Sequence, residues 1–124
     1  MKILGVDYVF INVTDFARSK AFYQDTLGLK LTHEVAAGWA EFDTGTLALA
    51  IGCYGAIGLE ANKKGNVSVA LAVDDVKAAV EHLRAKGVTF TSEPSEHTPC
   101  FMAAIADPDG NELMLHRRKD GTVG

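Results

Sequence analysis

The chain has 124 residues, of which 48% are hydrophobic and 23% charged, so it can bury a core and is not a disordered segment. Twelve basic residues against sixteen acidic ones give a net charge of −4, which argues against a surface built for nucleic-acid phosphates. No apolar run reaches membrane-spanning length, and the N-terminus lacks a signal-peptide pattern. We therefore expect a cytoplasmic protein that binds neither nucleic acid nor membrane.

The sequence contains two repeats that share the same motifs in the same order. A Val-x-Asp motif occurs at residues 13–15 and again at 73–75, and each is followed by a segment that ends in a glycine, at Gly28 and Gly87. This periodicity predicts a single domain, 1–124, made of two repeats at about 4–58 and 65–118, with a linker at 62–65.

In the first repeat, the β-branched and aromatic run Tyr8–Val13 predicts a strand, and Asp15 is placed to cap the next helix. Residues 16, 19, 23 and 27 form one stripe of that helix, which ends at Gly28. Three strands are predicted after it, at Leu29–Val35, Trp39–Asp43 and Leu47–Ile51.

The second repeat has the same order of elements. A strand at 67–73 precedes a helix that Asp75 caps, with an apolar stripe at 76, 79, 80 and 83 and an end at Gly87. Its last three strands are predicted at Val88–Thr91, Cys100–Ala106 and Glu112–His116, with a tight turn at Asp109-Gly110.

The element order predicts an α+β fold: two tandem βαβββ units whose curved mixed sheets surround a concave pocket. In each unit the helix covers one face of the sheet, and the other face must be covered by the second unit, a second chain or a ligand. Alternation along the first strand directs Tyr8 and Phe10 to the face away from the helix. Because large apolar faces are seldom left exposed, we expect a homodimer.

The repeated motifs and the segment Asp107-Pro108-Asp109-Gly110-Asn111 resemble the vicinal oxygen chelate superfamily, which includes glyoxalases, bleomycin-resistance proteins and extradiol dioxygenases. The resemblance spans almost the whole chain and implies the paired βαβββ fold. It also implies that enzymes of the family hold a divalent metal through His, Gln or Glu side chains from the first and last strands of each half.

Mapping those ligand positions through the motifs gives Tyr8, Leu49, Ser68 and Met114. None of the four is His, Gln, Glu or Asp, so the sequence predicts no metal and no cofactor. A register shift of two residues would offer Glu112 or His116 in the last strand, but neither has a partner for chelation.

The residues predicted to line a ligand pocket are Tyr8, Phe10, Trp39, Glu41, Leu49, Ser68, Glu112, Met114 and His116. Tyr8, Phe10 and Trp39 would supply stacking area, and Glu41 a counter-charge. An alternative interpretation places Trp39 in a dimer interface with Glu41 at its rim.

These residues are compatible with two functions. The first is a metal-free small-molecule-binding protein of the bleomycin-resistance type, which sequesters an aromatic or cationic ligand such as an antibiotic. The alternative is an enzyme of the family, a lyase, isomerase or dioxygenase, that uses unorthodox residues such as Glu41, Glu112 or His116.

Overall fold

The structure is a computed structural model that describes residues 2, 4, 8–35, 38–53 and 69–123. The chain divides into two compact units, Met1–Lys64 and Gly65–Gly124. The predicted linker at 62–65 lies outside the described residues. Each unit is a βαβββ arrangement with its own four-stranded sheet, which confirms the predicted α+β fold class.

The first unit contains β1 (Tyr8–Asn12), α1 (Phe16–Ala21), β2 (Lys30–Val35), β3 (Trp39–Asp43) and β4 (Ala48–Gly52). Its sheet has the strand order β1-β4-β3-β2, with β1 parallel to β4 and the other pairs antiparallel. The helix ends at Gly28, whose φ is +72°, as predicted, but its last part is a π-helical segment, Phe22–Thr26, that continues α1. This wider turn buries both Phe22 and Tyr23, whereas Leu27 stays half-buried.

The second unit contains β5 (Val69–Ala72), α2 (Val76–Ala85), β6 (Thr89–Glu96), β7 (Cys100–Ala106) and β8 (Glu112–Arg118). Its strand order is β5-β8-β7-β6, with β5 parallel to β8. Strand β6 runs well beyond the predicted end at Thr91, because pairing with β7 continues to Glu96 and Phe101. An edge strand tolerates Pro94, whose missing N–H leaves no central ladder bond unmade.

Both helices begin at the aspartates that the sequence indicated. The Asp15 carboxylate accepts a hydrogen bond of 3.1 Å from the Arg18 N–H, and Asp75 accepts one of 3.1 Å from the Ala78 N–H. Each side chain satisfies an N–H group that the first helical turn leaves without a partner. Among the described residues, neither helix is long and apolar enough to cross a membrane.

Each sheet has a helix-side face and a face away from the helix, which we call the helix-free face. On the helix-side face of the first unit, Phe42 lies against Tyr23, with ring centroids 6.0 Å apart. In the second unit, the Arg84 guanidinium of α2 lies 4.5 Å from the centroid of the Phe90 ring. Fully buried residues of these helix-side cores include Ala40, Phe42, Leu49 and Ile51 in the first unit and Ala103, Ile105, Leu113 and Leu115 in the second.

The Asp-Pro-Asp-Gly-Asn segment builds the turn between β7 and β8. The Asp107 carboxylate is only 5% exposed and accepts hydrogen bonds from the Asp109 and Asn111 N–H groups and from the Asn111 side chain. Gly110 adopts a φ of +81°, which favours glycine. These contacts give the motif a structural role in holding β8 in register with β7.

Candidate functional site

The helix-free face of the first unit carries three aromatic side chains. The Phe10 and Trp39 rings are stacked, with centroids 5.2 Å apart and planes at 11°. Tyr8 meets Trp39 edge-on, with centroids 5.5 Å apart, and is 46% exposed. We call Tyr8, Phe10 and Trp39 the aromatic platform, because their rings form one surface on a single face of the sheet.

The platform depends on small residues in the strand between its members. Strand β4 lies between β1 and β3 and directs Ala48, Ala50 and Gly52 to the helix-free face. A Cβ atom at Gly52 would lie 3.0 Å from a Phe10 ring carbon and 3.1 Å from a Trp39 ring carbon. The rings on β1 and β3 can therefore meet only because β4 presents almost no side chain between them.

These small residues were missing from the sequence-based prediction, although the sequence contains their signal. The segment Ala48-Leu49-Ala50-Ile51-Gly52 alternates small and large residues with the period of a strand. The large residues fill the helix-side core, and the small ones make room on the opposite face.

Glu41 is joined directly to the platform. The indole Nε1–H of Trp39 donates a hydrogen bond of 3.2 Å to Glu41 Oε1, and both side chains are half-buried. His33 of β2 pairs with Glu41 across the strands, so its side chain belongs to the same face. The platform thus has a carboxylate at its edge whose position is fixed by the indole.

The expectation that Leu49 shares a face with Tyr8 is wrong. In the parallel ladder Tyr8 pairs with Ala48 and Phe10 with Ala50, so Leu49 points to the opposite side. Its side chain is 1% exposed and lies in the helix-side core. Ile51, which lies two residues further on the same side of β4, is fully buried in the same core.

The cause is a difference of one residue between the two hairpin turns. The Val13 N–H donates to the Gly52 carbonyl, and the Val73 N–H donates to the His116 carbonyl, so Gly52 and His116 occupy equivalent positions. The equivalent of Met114 is then Ala50, which its pairing with Phe10 also supports. The turn glycines, Gly45 and Gly110, are not equivalent in the same way, because the turn in the second unit is one residue longer, and a match at these glycines pairs Met114 with Leu49.

On the helix-free face of the second unit, Glu112, Met114 and His116 lie together along β8. Their cross-strand neighbours are Ala70 and Ala72 on one side and Ala106, Ala104 and Met102 on the other. The Thr91 hydroxyl donates to the Glu112 carboxylate at 3.0 Å. Four residues of extended strand separate Glu112 from His116, a span of about 13 Å, so they cannot chelate one ion together.

Ser68 lies outside the described residues, so its placement stays a prediction. The convergence of the first-unit and second-unit residues on one cavity also stays a prediction. In the first unit, the structure brings together Tyr8, Phe10, Trp39 and Glu41. In the second unit, it places Glu112, Met114 and His116 on one face of β8.

The residues at the four mapped positions do not fit the family's divalent metal. With Ala50 replacing Leu49, these positions carry a phenol, a methyl group, a serine and a thioether, none of which is an imidazole, carboxylate or carboxamide. Divalent metals of this type favour oxygen and imidazole ligands. Within the part of the chain that the structure describes, no group of three His, Cys, Asp or Glu side chains could hold a metal ion.

Two βαβββ units, each with a helix-free face, define the class of fold. Comparisons with known proteins identify the family. The sequence profile described as the Glyoxalase/Bleomycin resistance protein/Dioxygenase superfamily matches residues 5–115. The chain therefore belongs to this superfamily, and the predicted resemblance is confirmed.

Two relatives by sequence cover most of the chain. Lactoylglutathione lyase of Salmonella typhimurium is 29% identical over 128 residues, spanning 94% of this chain and 95% of that protein. The Escherichia coli protein described as "Uncharacterized protein YaeR" is 34% identical over 127 residues, spanning 91% and 95%.

A solved structure of similar architecture is TnmS3, an antibiotic binding protein from Streptomyces sp. CB03234. It superposes with a TM-score of 0.79 at 25% identity and covers 96% of this chain and 99% of that one. The superfamily thus includes relatives described as lyases and others described as binding proteins. The choice between these classes rests on the residues of the site itself.

Proposed function

We propose that the chain is a small-molecule-binding protein that holds a planar aromatic ligand, preferably a cationic one, on the aromatic platform without a divalent metal. The observation that carries the proposal is the stacked pair Phe10–Trp39 over Gly52, with Tyr8 beside it. Aromatic rings supply large contact area at low conformational cost, which suits recognition of a flat ligand.

The preference for a cation rests on Glu41. Its carboxylate is held at the edge of the indole by the Trp39 hydrogen bond, so a ligand stacked on the platform would place a positive group beside a fixed negative one. The ring faces of Trp39 and Tyr8 would add cation–π attraction. Half-burial of Glu41 weakens solvent screening of this attraction relative to a fully exposed carboxylate.

The residue types at Tyr8, Ala50, Ser68 and Met114 support binding without a divalent metal. The description of TnmS3 as an antibiotic binding protein supports the same class of function. Elemental analysis of the purified protein tests this part. We expect no Zn, Ni, Fe or Mn near one per chain after dialysis without chelator, and a retained stoichiometric metal would overturn it.

The ligand is tested by titrating the single tryptophan. At neutral pH, 9-aminoacridine is a planar cation and acridine is a neutral ring system of similar shape. We expect both to quench Trp39 fluorescence and the cation to bind more tightly. Equal affinities would remove the charge preference, and absence of quenching by either compound would contradict binding at the platform.

A matched pair of variants isolates the carboxylate. Glu41→Gln should weaken 9-aminoacridine binding by about 1–3 kcal/mol, the contribution of a hydrogen bond to a charged group, and leave acridine unchanged. Glu34→Gln removes the same charge on the helix-side face, where Glu34 pairs with Lys20, and should leave both affinities unchanged. Unchanged affinity in Glu41→Gln would exclude Glu41 from the site.

We also propose that the protein functions as a homodimer, which would cover apolar helix-free surface. Sedimentation equilibrium at micromolar concentration should give twice the chain mass, and a monomer would contradict this part alone. An interface role for Trp39 is separable from ligand binding, because its fluorescence would then change on dilution in the absence of any ligand.

A further inference from the structure

The second unit has a cleft on its helix-side face, at the end of the sheet where α2 begins. Its volume is about 640 Å³. The first turn of α2, the end of β6 and the end of β8 form its walls. The residues that decide its chemistry are Asp74, Lys77, Glu96, Phe101, Arg117 and Lys119.

This cleft is distinct from the helix-free face of its unit. Arg117 continues the alternation of the buried residues Leu113 and Leu115, so it points away from the face of Met114 and His116. Phe101 pairs with Arg117 in the ladder and supplies a half-buried ring to the same side.

Several charges of the cleft are already matched. The Lys119 ammonium lies 3.3 Å from a Glu96 carboxylate oxygen and 5.1 Å from the centroid of the Phe101 ring. The Asp75 carboxylate caps α2 through the Ala78 N–H. Lys119 and Glu96 therefore neutralise each other, and Asp75 is engaged as the helix cap.

Two cations are left without a close partner. Within the described residues, neither the Lys77 ammonium nor the Arg117 guanidinium forms a hydrogen bond or a contact ion pair. Arg117 has a longer-range neighbour in Asp120, an exposed carboxyl whose pKa is lowered chiefly by hydrogen bonds from Thr122. Asp74 also lines the cleft, so an incoming anion would meet its carboxylate.

We propose that this cleft binds a small organic monoanion with a planar ring, a carboxylate rather than a phosphate. The guanidinium fork of Arg117 matches a carboxylate in a bidentate geometry, and the ring would lie against Phe101. Asp74 disfavours a dianion, because each added negative charge increases repulsion from this carboxylate, whereas Glu96 is already paired with Lys119. The cleft and its occupant do not depend on the function proposed for the aromatic platform.

The probe is 2-naphthoate, whose own fluorescence anisotropy reports binding, with 2-naphthamide as its uncharged counterpart. We expect saturable binding of the anion and much weaker binding of the amide. Arg117→Gln should weaken 2-naphthoate about 10-fold or more, as expected for a lost charged hydrogen bond. Arg84→Gln is the matched control, since Arg84 also lies over a ring of this sheet but outside the cleft.

Two more variants sharpen the assignment. Asp74→Asn should strengthen 2-naphthoate binding by removing the repelling charge. Phe101→Leu should weaken 2-naphthoate more than cyclohexanecarboxylate measured by competition, because only the former stacks on the ring.

The proposal is overturned if wild-type protein shows no saturable binding of 2-naphthoate, or if the amide binds as tightly. It is also overturned if Arg84→Gln and Arg117→Gln have the same effect, which would indicate a general charge effect. Loss of binding in Trp39→Leu but not in Arg117→Gln would place the probe on the aromatic platform instead. That result would overturn this proposal while showing that the platform holds planar rings, so the two failures are distinguishable.

Discussion

The helix-free faces of the two units have opposite arrangements of large and small side chains. In the first unit, β1 and β3 carry Phe10 and Trp39, and β4, which lies between them, carries Ala50 and Gly52. In the second unit, the middle strand β8 carries Met114 and His116, and its neighbours carry mostly alanines. One backbone plan therefore supports a flat aromatic surface in one unit and a central row of larger side chains in the other.

The helix-side faces, by contrast, are alike. The ladder makes Ala40 equivalent to Ala103, Leu49 to Leu113, and Ile51 to Leu115, and all are buried. The capping aspartates are equivalent as well. Packing against a helix limits which residues fit, whereas the opposite face is free to differ, so the two units differ most in the side chains of their helix-free faces.

The largest expected effect is a difference in the free energy of unfolding between substitutions on the two faces of the first unit. Phe42→Ala removes a fully buried ring from the helix-side core and should lower the free energy of unfolding by about 3–5 kcal/mol. Phe10→Leu changes a half-buried ring on the helix-free face and should cost much less, yet it should reduce 9-aminoacridine binding. Urea denaturation and Trp39 titration measure the two effects. Equal losses of stability would contradict the division between core and binding face.

The second comparison tests the same division on β8. Leu113→Ala should cost about 2–5 kcal/mol because the side chain is fully buried. The adjacent Met114→Ala should cost clearly less, since Met114 is half-buried and faces the other side. A larger loss for Met114→Ala, measured by urea denaturation, would mean that the register of β8 differs by one residue.

Much of this division could be predicted from the sequence, because hydrophobic alternation and capping residues are local signals. Both βαβββ units, both helix caps and the order of elements along the chain agree with the patterns. The prediction of the face on which Leu49 lies was wrong, because a one-residue difference in turn length moves every side chain of the following strand to the opposite face. The contact between Phe10 and Trp39 could not be predicted, since it joins strands that are not neighbours in the sheet and depends on the absence of a side chain at Gly52. The cleft at Arg117 also escaped prediction, because residues 117–119 look like a solvated basic tail in the sequence.

Gly52 provides the third test, because its equivalent in the second unit is a histidine. Gly52→Ala places a Cβ atom within 3.0 Å of Phe10 and 3.1 Å of Trp39, so both rings must shift. We expect a loss of about 1–3 kcal/mol from overpacking and a changed Trp39 emission spectrum. In the background of Phe10→Leu the added methyl group should cost less, which a double-mutant cycle measures. Full additivity in that cycle would contradict the stacking of the two rings over Gly52.

The smallest effects concern the feature that the two units share most closely. Asp15→Ala and Asp75→Ala each remove one side-chain cap of a first helical turn and should each cost about 0.5–2 kcal/mol in the free energy of unfolding. Asp74→Ala is the control, because it removes the same charge next to Asp75 without removing a cap, and its cost should stay within about 0.5 kcal/mol. The helix that the cap starts differs between the units: α2 has ten residues, whereas α1 has six before the π-helical segment. Similar losses for Asp15 and Asp75 would show that cap strength depends on the first turn and not on the length of the helix. If Asp74→Ala cost as much as Asp75→Ala, the stabilisation would come from negative charge near the helix N-terminus and not from the hydrogen bond to Ala78.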